Sequence, residues 1–150
     1  MVSPMFWRSP AGPRFFWNVT GSVGKNSPNQ ADDVELIQFC CLLIADGGRS
    51  IDEVKRVTPG APCSGADNDP LVIAIKALEK ANGTPRIDGW ISRLPNDVFY
   101  SDHGKHQYVL TSLNALLMGR FPDTFPRIDQ DGRCPPRLKE AVKKFFAPTS

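Results

Sequence analysis

Most of what marks a catalyst, a metalloprotein or a membrane protein is missing from this 150-residue chain. It has four cysteines, Cys40, Cys41, Cys63 and Cys134, and no Cys-x-x-Cys pair, so a zinc knuckle is not expected. Cys40 and Cys41 fall in an apolar run, where cysteine packs as a small hydrophobe. Spacing alone leaves a Cys63–Cys134 disulfide open. The longest apolar stretch, Phe39 to Ala45, is far too short to span a bilayer, so no membrane span is expected. The start, Met1 to Arg8, lacks a basic segment followed by an apolar core. Synthesis in the cytoplasm without a standard signal peptide is therefore expected. A net charge of only +2 argues against nucleic acid as a partner. The basic excess is local: Arg133, Arg137, Lys139, Lys143 and Lys144 stand against Glu140 near the end. That cluster reads as a solvated helix face or, more sharply, as a surface for an anionic partner.

Catalytic constellations are equally scarce. The two histidines, His103 and His106, follow Asp102 at a spacing that a helix could turn to one metal, yet no HExxH motif or third ligand accompanies them. Gly21-Ser22-Val23-Gly24-Lys25-Asn26-Ser27 echoes a phosphate loop. It lacks the hydroxyl residue after the lysine, the correct glycine spacing and a βαβ setting. No base, nucleophile and oxyanion site occur together. The expectation is a protein with no catalytic residues, no metal and no cofactor.

What the chain does have is helical patterning, with 41% hydrophobic and 23% charged residues in a length suited to one domain. Residues 1–29 are rich in Pro, Gly, Ser and aromatics and read as an irregular or briefly extended N-terminal arm, with some aromatics docked on the body. Asn29 reads as an N-cap, with Asp32 and Asp33 in the first turn of a helix over Ala31 to Asp46 that Gly47-Gly48 ends. Val34, Ile37, Cys41 and Ile44 form one stripe, and Leu36, Phe39, Cys40 and Leu43 a second, which predicts burial on most sides. A long Pro- and Gly-bearing connection follows, with room for one helical turn over Ile51 to Val57. Asp69-Pro70 starts a second helix that Gly83 stops. A third is expected over His103 to Met118, closed by Gly119, with Leu113 and Leu117 inward. A fourth is expected over Pro135 to Phe146, with Leu138, Ala141, Val142, Phe145 and Phe146 in one stripe that closes the core. Strand signal is confined to short pieces around Val19 to Val23 and Arg86 to Ile91. The fold class is mainly α: a compact helical bundle of about four main helices.

One small helical unit recurs. Ala74-Ile75-Lys76-Ala77-Leu78-Glu79, then Gly83, then Asp88-Gly89 is answered by Asp131-Gly132, Pro136 and Ala141-Val142-Lys143-Lys144-Phe145. Upstream stand Ser22-Val23-Gly24, Asn29 and Asp33-Val34-Glu35-Leu36-Ile37-Gln38-Phe39. These segments resemble the peptidoglycan-binding-domain-like family of small helical modules. Its consensus runs Asp-Val-x-x-Val-Gln, then Ala-Val-x-x-Phe-Gln, then Gly and Asp-Gly, and some members share the Ser-Val-Gly and Asn lead-in. The departures are Leu78 for Phe, Glu79 for Gln, Pro135 for Gly, Leu138 for Thr and Phe146 for Gln.

The resemblance implies two fused units over residues 30–150, the first about 30–118 and the second about 105–147, sharing the third helix. It implies a non-catalytic module that contacts peptidoglycan, through its glycan or stem peptide, in a shallow groove between helices. Trp90, Arg93, Tyr100 and Asn114 are the candidate ligand-binding residues, Trp90 reading equally well as core. The alternative is a structural or adaptor protein of a phage particle or secretion apparatus, whose partner is a protein and whose aromatic arm orders on it. The site of action is then the virion or the secretion apparatus, and for a wall binder the periplasm.

Overall fold

Apolar groups on every side of residues 31–46 make that segment the packing centre. Val34, Leu36, Ile37, Phe39, Cys40, Cys41 and Leu43 are all buried, and so are Glu35 and Gln38 between them. The computed structural model describes residues 2–9, 12–48, 51–84, 86–94 and 109–147. In chain order the elements are β1 (Ser3–Ser9), β2 (Gly12–Asn18), β3 (Val23–Gly24), α1 (Ala31–Asp46), α2 (Asp52–Lys55), α3 (Pro70–Ala81), β4 (Trp90–Ile91), α4 (Val109–Arg120) and α5 (Pro136–Phe146). The protein is mainly helical. α1 packs against α2, α4, α5 and β3, and α2 packs on α3. A single apolar cluster runs through all of these, from Phe16 and Trp17 to Leu138 and Val142.

Local chemistry explains most boundaries. Asp69 caps α3 by accepting from the Leu71 amide at 2.8 Å, and Pro70 fills the first turn, where a missing N–H costs nothing. Gly83, at φ +72°, lets the chain leave α3. The single turn expected after Ile51 is α2.

Several boundaries differ from expectation. Asn29 does not cap α1: Gln30 holds the cap position and makes no side-chain cap bond. Asn29 lies in the left-handed region at φ 51°, and its amide holds the preceding turn through the Gly24 N–H at 2.7 Å and the Gly24 carbonyl at 2.9 Å. Asp33 does serve the first turn of α1, but it faces inward and accepts from the Thr20 and Gly21 amides. Gly119 does not close α4, which continues through Arg120. The Arg120 guanidinium then donates to the Leu43 carbonyl of α1 at 2.9 Å. The expected start of that helix, residues 103–108, lies outside the described residues. Of the two readings of the N-terminal arm, irregular or briefly extended, the extended one is present. β1 and β2 pair antiparallel, with Pro4 opposite Trp17 and Phe6 opposite Phe15. Its base enters the body, where Val2, Phe16, Trp17 and Asn18 are buried.

Phe145 does not close the core. Leu138 and Val142 are fully buried, whereas Phe145 is 46% exposed and Phe146 half-buried. The apolar stripe is in phase, but its last turn reaches the edge of the body. There the two phenyl rings pack edge-on against each other at 4.9 Å and against Trp17 at 5.8 and 6.2 Å. All four cysteines are free thiols, so Cys63 and Cys134 are not paired.

Candidate binding site

Three of the segments that carried the family resemblance, Ser22-Val23-Gly24, the end of α3 at Glu79 and Asp88-Gly89, meet at one corner. β3 pairs antiparallel with β4, placing Val23 opposite Ile91 and Gly24 opposite Trp90. The Lys25 amide adds a bond to the Gly89 carbonyl at 2.9 Å. Gly24 is at φ +118°, and a Cβ there would overlap the Gly89 carbonyl, so only glycine permits this approach. Gly89, at φ +84°, is buried against the stems of Lys76 and Lys25.

Glu79, in the last turn of α3, holds the Asp88-Gly89 turn from beneath. It is 3% exposed and accepts from the Gly89 amide at 2.7 Å and the Asp88 amide at 3.4 Å. Burial, and then a hydrogen bond with the Asp88 carboxyl, push the Glu79 carboxyl up to about 7. Asp88 in turn accepts from the Trp90 amide at 3.2 Å. Asp67 draws together the ammonium groups of Lys25 at 3.0 Å and Lys76 at 3.5 Å. The Lys25 bond and charge hold the Asp67 carboxyl below its ordinary range. Two ammonium groups thus share one carboxylate beside the turn.

The expected ligand residues do not form one cluster. Trp90 is 37% exposed on β4, which excludes its reading as plain core, and Arg93 is exposed three positions on. The backbone that carries them is fixed at both ends. Gly24 pairs with Trp90 at one, and at the other the buried Asn18 amide bonds both the Leu94 N–H at 2.9 Å and the Leu94 carbonyl at 3.0 Å. Asn114 sits elsewhere, 1% exposed. Its amide accepts from the Trp17 N–H at 2.7 Å and donates to the Trp17 and Leu110 carbonyls, both at 2.9 Å. Both of its N–H donors and its oxygen are bonded to backbone, so it clamps β2 to α4. Tyr100, and the Asp102, His103 and His106 set, lie outside the described residues.

A shallow groove does run between helices. It lies where α3 meets α4, has a volume of about 610 Å³, is lined by Leu78, Ala81, Leu113 and Leu116, and carries an Asn82–Ser112 bond of 2.6 Å at its rim. Trp90, Arg93 and Asn114 are not among its walls. The Gly21 to Ser27 stretch is a turn closed by Asn29 and does not lead directly into a helix.

Reading the sequence alone missed Glu79, Asp67, Lys76 and Asn18 as parts of this corner. Glu79 had a visible signal, since it stands where the resembled family has Gln. Asp67 and Asn18 had none, because their partners are brought to them only by the fold.

In comparisons with family models, curated protein sequences and solved structures, nothing matches this chain.

Proposed function

We propose that the protein is a non-catalytic binding module for bacterial cell-wall peptidoglycan and that the β3–β4 corner is its contact surface. One observation supports this above the rest. The Ser-Val-Gly lead-in, the Asp-Gly turn and the Glu79 position that carry the resemblance converge there, and they leave Trp90 exposed on backbone anchored at both ends. A sugar ring offers an apolar face for stacking on an indole, and rigid presentation lowers the entropy lost on binding. Lys25 and Lys76, sharing the single Asp67 carboxylate, suit the carboxylates of a stem peptide. Arg93, three positions on from Trp90, is exposed as well.

Co-sedimentation with purified sacculi tests the reading. The protein should pellet with the wall, and Trp90→Ala should weaken retention about tenfold, the equivalent of about 1.4 kcal/mol. Wild-type protein left wholly in the supernatant would refute it.

A second reading, an adaptor docked on a protein in a phage particle or secretion assembly, draws on the last turn of α5. There Phe145 is 46% exposed beside the exposed Lys143 and Lys144. If that patch mediates assembly, light scattering should show oligomers that Phe145→Ser abolishes.

A further inference from the structure

We propose that the outer edge of β1 is a self-pairing surface. Two copies of this chain join there, strand against antiparallel strand, across a two-fold axis at Trp7, into a continuous β2–β1–β1–β2 sheet.

The phase of the β1–β2 ladder carries this. In an antiparallel pair, residues that exchange bonds with the partner strand alternate with residues whose N–H and C=O turn outward. Trp17 fixes which is which. Its N–H donates to the Asn114 side chain at 2.7 Å and its carbonyl accepts from the same amide at 2.9 Å, so both groups point away from β1. The register runs unbroken from Ser3 opposite Asn18 to Ser9 opposite Gly12. Pro4, opposite Trp17, therefore turns outward too, and with it Phe6 and Arg8 on β1 and Phe15 and Pro13 on β2. The prolines agree with this phase, since Pro4 and Pro13 have no N–H to give and both fall at outward positions.

The two outer edges then differ. On β2, the Asn114 amide answers Trp17 as a neighbouring strand would, and α4 packs on β2. On β1, Phe6 and Arg8 each turn an N–H and a C=O outward, and among the described residues β2 is the only strand beside it. An edge of this kind is a template for an extended chain, and a hairpin of two strands gains stability from a further one.

Symmetry selects a second copy as that chain. Pro4 and Pro10 stand three positions either side of Trp7; Pro10 lies outside the described residues and enters as sequence alone. With Trp7 opposite Trp7 of the second copy, Phe6 exchanges both bonds with the other Arg8, and Arg8 with the other Phe6. Each Pro4 then falls opposite a Pro10, where no N–H is asked for. Centring the pair on Phe6 sets Arg8 against Pro4, and centring it on Arg8 sets Phe6 against Pro10, so either shift leaves a carbonyl unanswered. A dimer carries two Trp90 corners and grips a polymeric wall more firmly than one copy. That consequence rests on the function proposed above; the pairing does not, and its test uses no wall.

Sedimentation equilibrium of the full-length protein at rising concentration is that test. The mass should climb from 16.5 kDa towards twice that value. Arg8→Pro removes an outward N–H and no bond within the hairpin, so it should hold the chain at monomer mass with unchanged circular dichroism. Arg8→Ala, which keeps the N–H, should still dimerise. Should Arg8→Pro misfold, Trp7→Cys decides. Directly opposite positions that exchange no bonds bring their Cβ atoms to about 4.5–5.5 Å, close to disulfide reach. In a Cys63→Ser background, which removes the half-buried native thiol, oxidised glutathione should link Trp7→Cys into a covalent dimer, and faster than Phe6→Cys. A dimer that Arg8→Pro leaves intact while folded, or Phe6→Cys linking faster than Trp7→Cys, overturns the pairing. So does a wild type that stays monomeric throughout, which would leave the edge to a strand of another protein.

Discussion

Glu35 of α1 caps α5 from 102 positions away. One carboxylate oxygen accepts from the Arg137 amide at 2.8 Å and the Leu138 amide at 3.3 Å, and the other faces the Arg137 guanidinium at 3.5 Å. The cap residue of α5 itself, Pro135, offers no side-chain acceptor. The orphan amides that open every helix are thus satisfied by the central helix, with a negative group at the positive end of the α5 dipole. Glu35 thereby ties the first turn of α5 to α1.

Glu35→Ala should therefore cost about 2–3 kcal/mol, because it strands a buried amide at Leu138 as well as removing a cap. Glu35→Gln, which keeps one acceptor, should cost about 1 kcal/mol. Urea midpoints of the two variants check the order. Equal midpoints in the two variants would mean that the carboxamide restores nothing of the cap.

Asn114 makes a parallel case. Both backbone groups of Trp17 depend on its amide in a site closed to water. Asn114→Ala should cost about 2–4 kcal/mol from two stranded polar groups, and Asn114→Asp a comparable amount, since a carboxylate cannot donate to the Trp17 carbonyl. Neither change should alter retention on sacculi once the protein is folded, because Asn114 is buried with its amide bonded to the Trp17 and Leu110 backbone. A folded Asn114→Ala protein that loses wall binding would return this residue to the site.

These two residues mark the limit of what the sequence makes legible. The helices were readable because their causes are local: the two stripes of α1, the Asp69-Pro70 start of α3, the phase of Leu138 and Val142 in α5. Trp90 was singled out by type and by its place after Asp-Gly. Glu35, Asn114 and Asn18 were not legible in these roles, because each answers backbone groups that only the fold brings near. The β1–β2 hairpin was hidden for a related reason. Pro4, Gly12 and Pro13 break the alternation that marks a strand, and the pairing joins residues up to fifteen positions apart, as Ser3 with Asn18. Asn29 had two competing uses, and its left-handed turn around Gly24 prevailed over capping. Phe145 was placed correctly in phase, but phase does not show where the body beneath a helix ends.

Phe145 and Phe146 should accordingly differ. Phe145→Ala removes a ring that is 46% exposed and should cost about 1 kcal/mol. Phe146 is half-buried, packs on Trp17 and carries the Arg127 guanidinium 4.9 Å from its ring centre. Arg127 is held there by paired 2.9 Å bonds to the buried Asp129. Phe146→Ala should cost about 2–3 kcal/mol, with part of the loss arising from the unseated cation. A larger loss at Phe145 than at Phe146 would mean that the last turn of α5 is more deeply packed than its exposure indicates.

Unfolding should be a single cooperative transition. Two units that could melt separately would each need a core of their own, and the described residues form one cluster, threaded by α1. The N-terminal half cannot close without the last helix. α1 would expose the faces that meet Leu138 and Val142, Glu35 would lose the amides it caps, and Trp17 would lose the two phenyl edges and the Pro126 carbonyl that its indole N–H reaches at 2.8 Å. The C-terminal half is no more complete alone, because α4 rests on α1 and its Asn114 is committed to β2. A fragment ending near Gly119 should therefore show weak, non-cooperative thermal melting, and the whole chain should give one calorimetric peak with equal calorimetric and van't Hoff enthalpies. Two resolved peaks, or a fragment as stable as the full chain, would establish independent units despite the shared core.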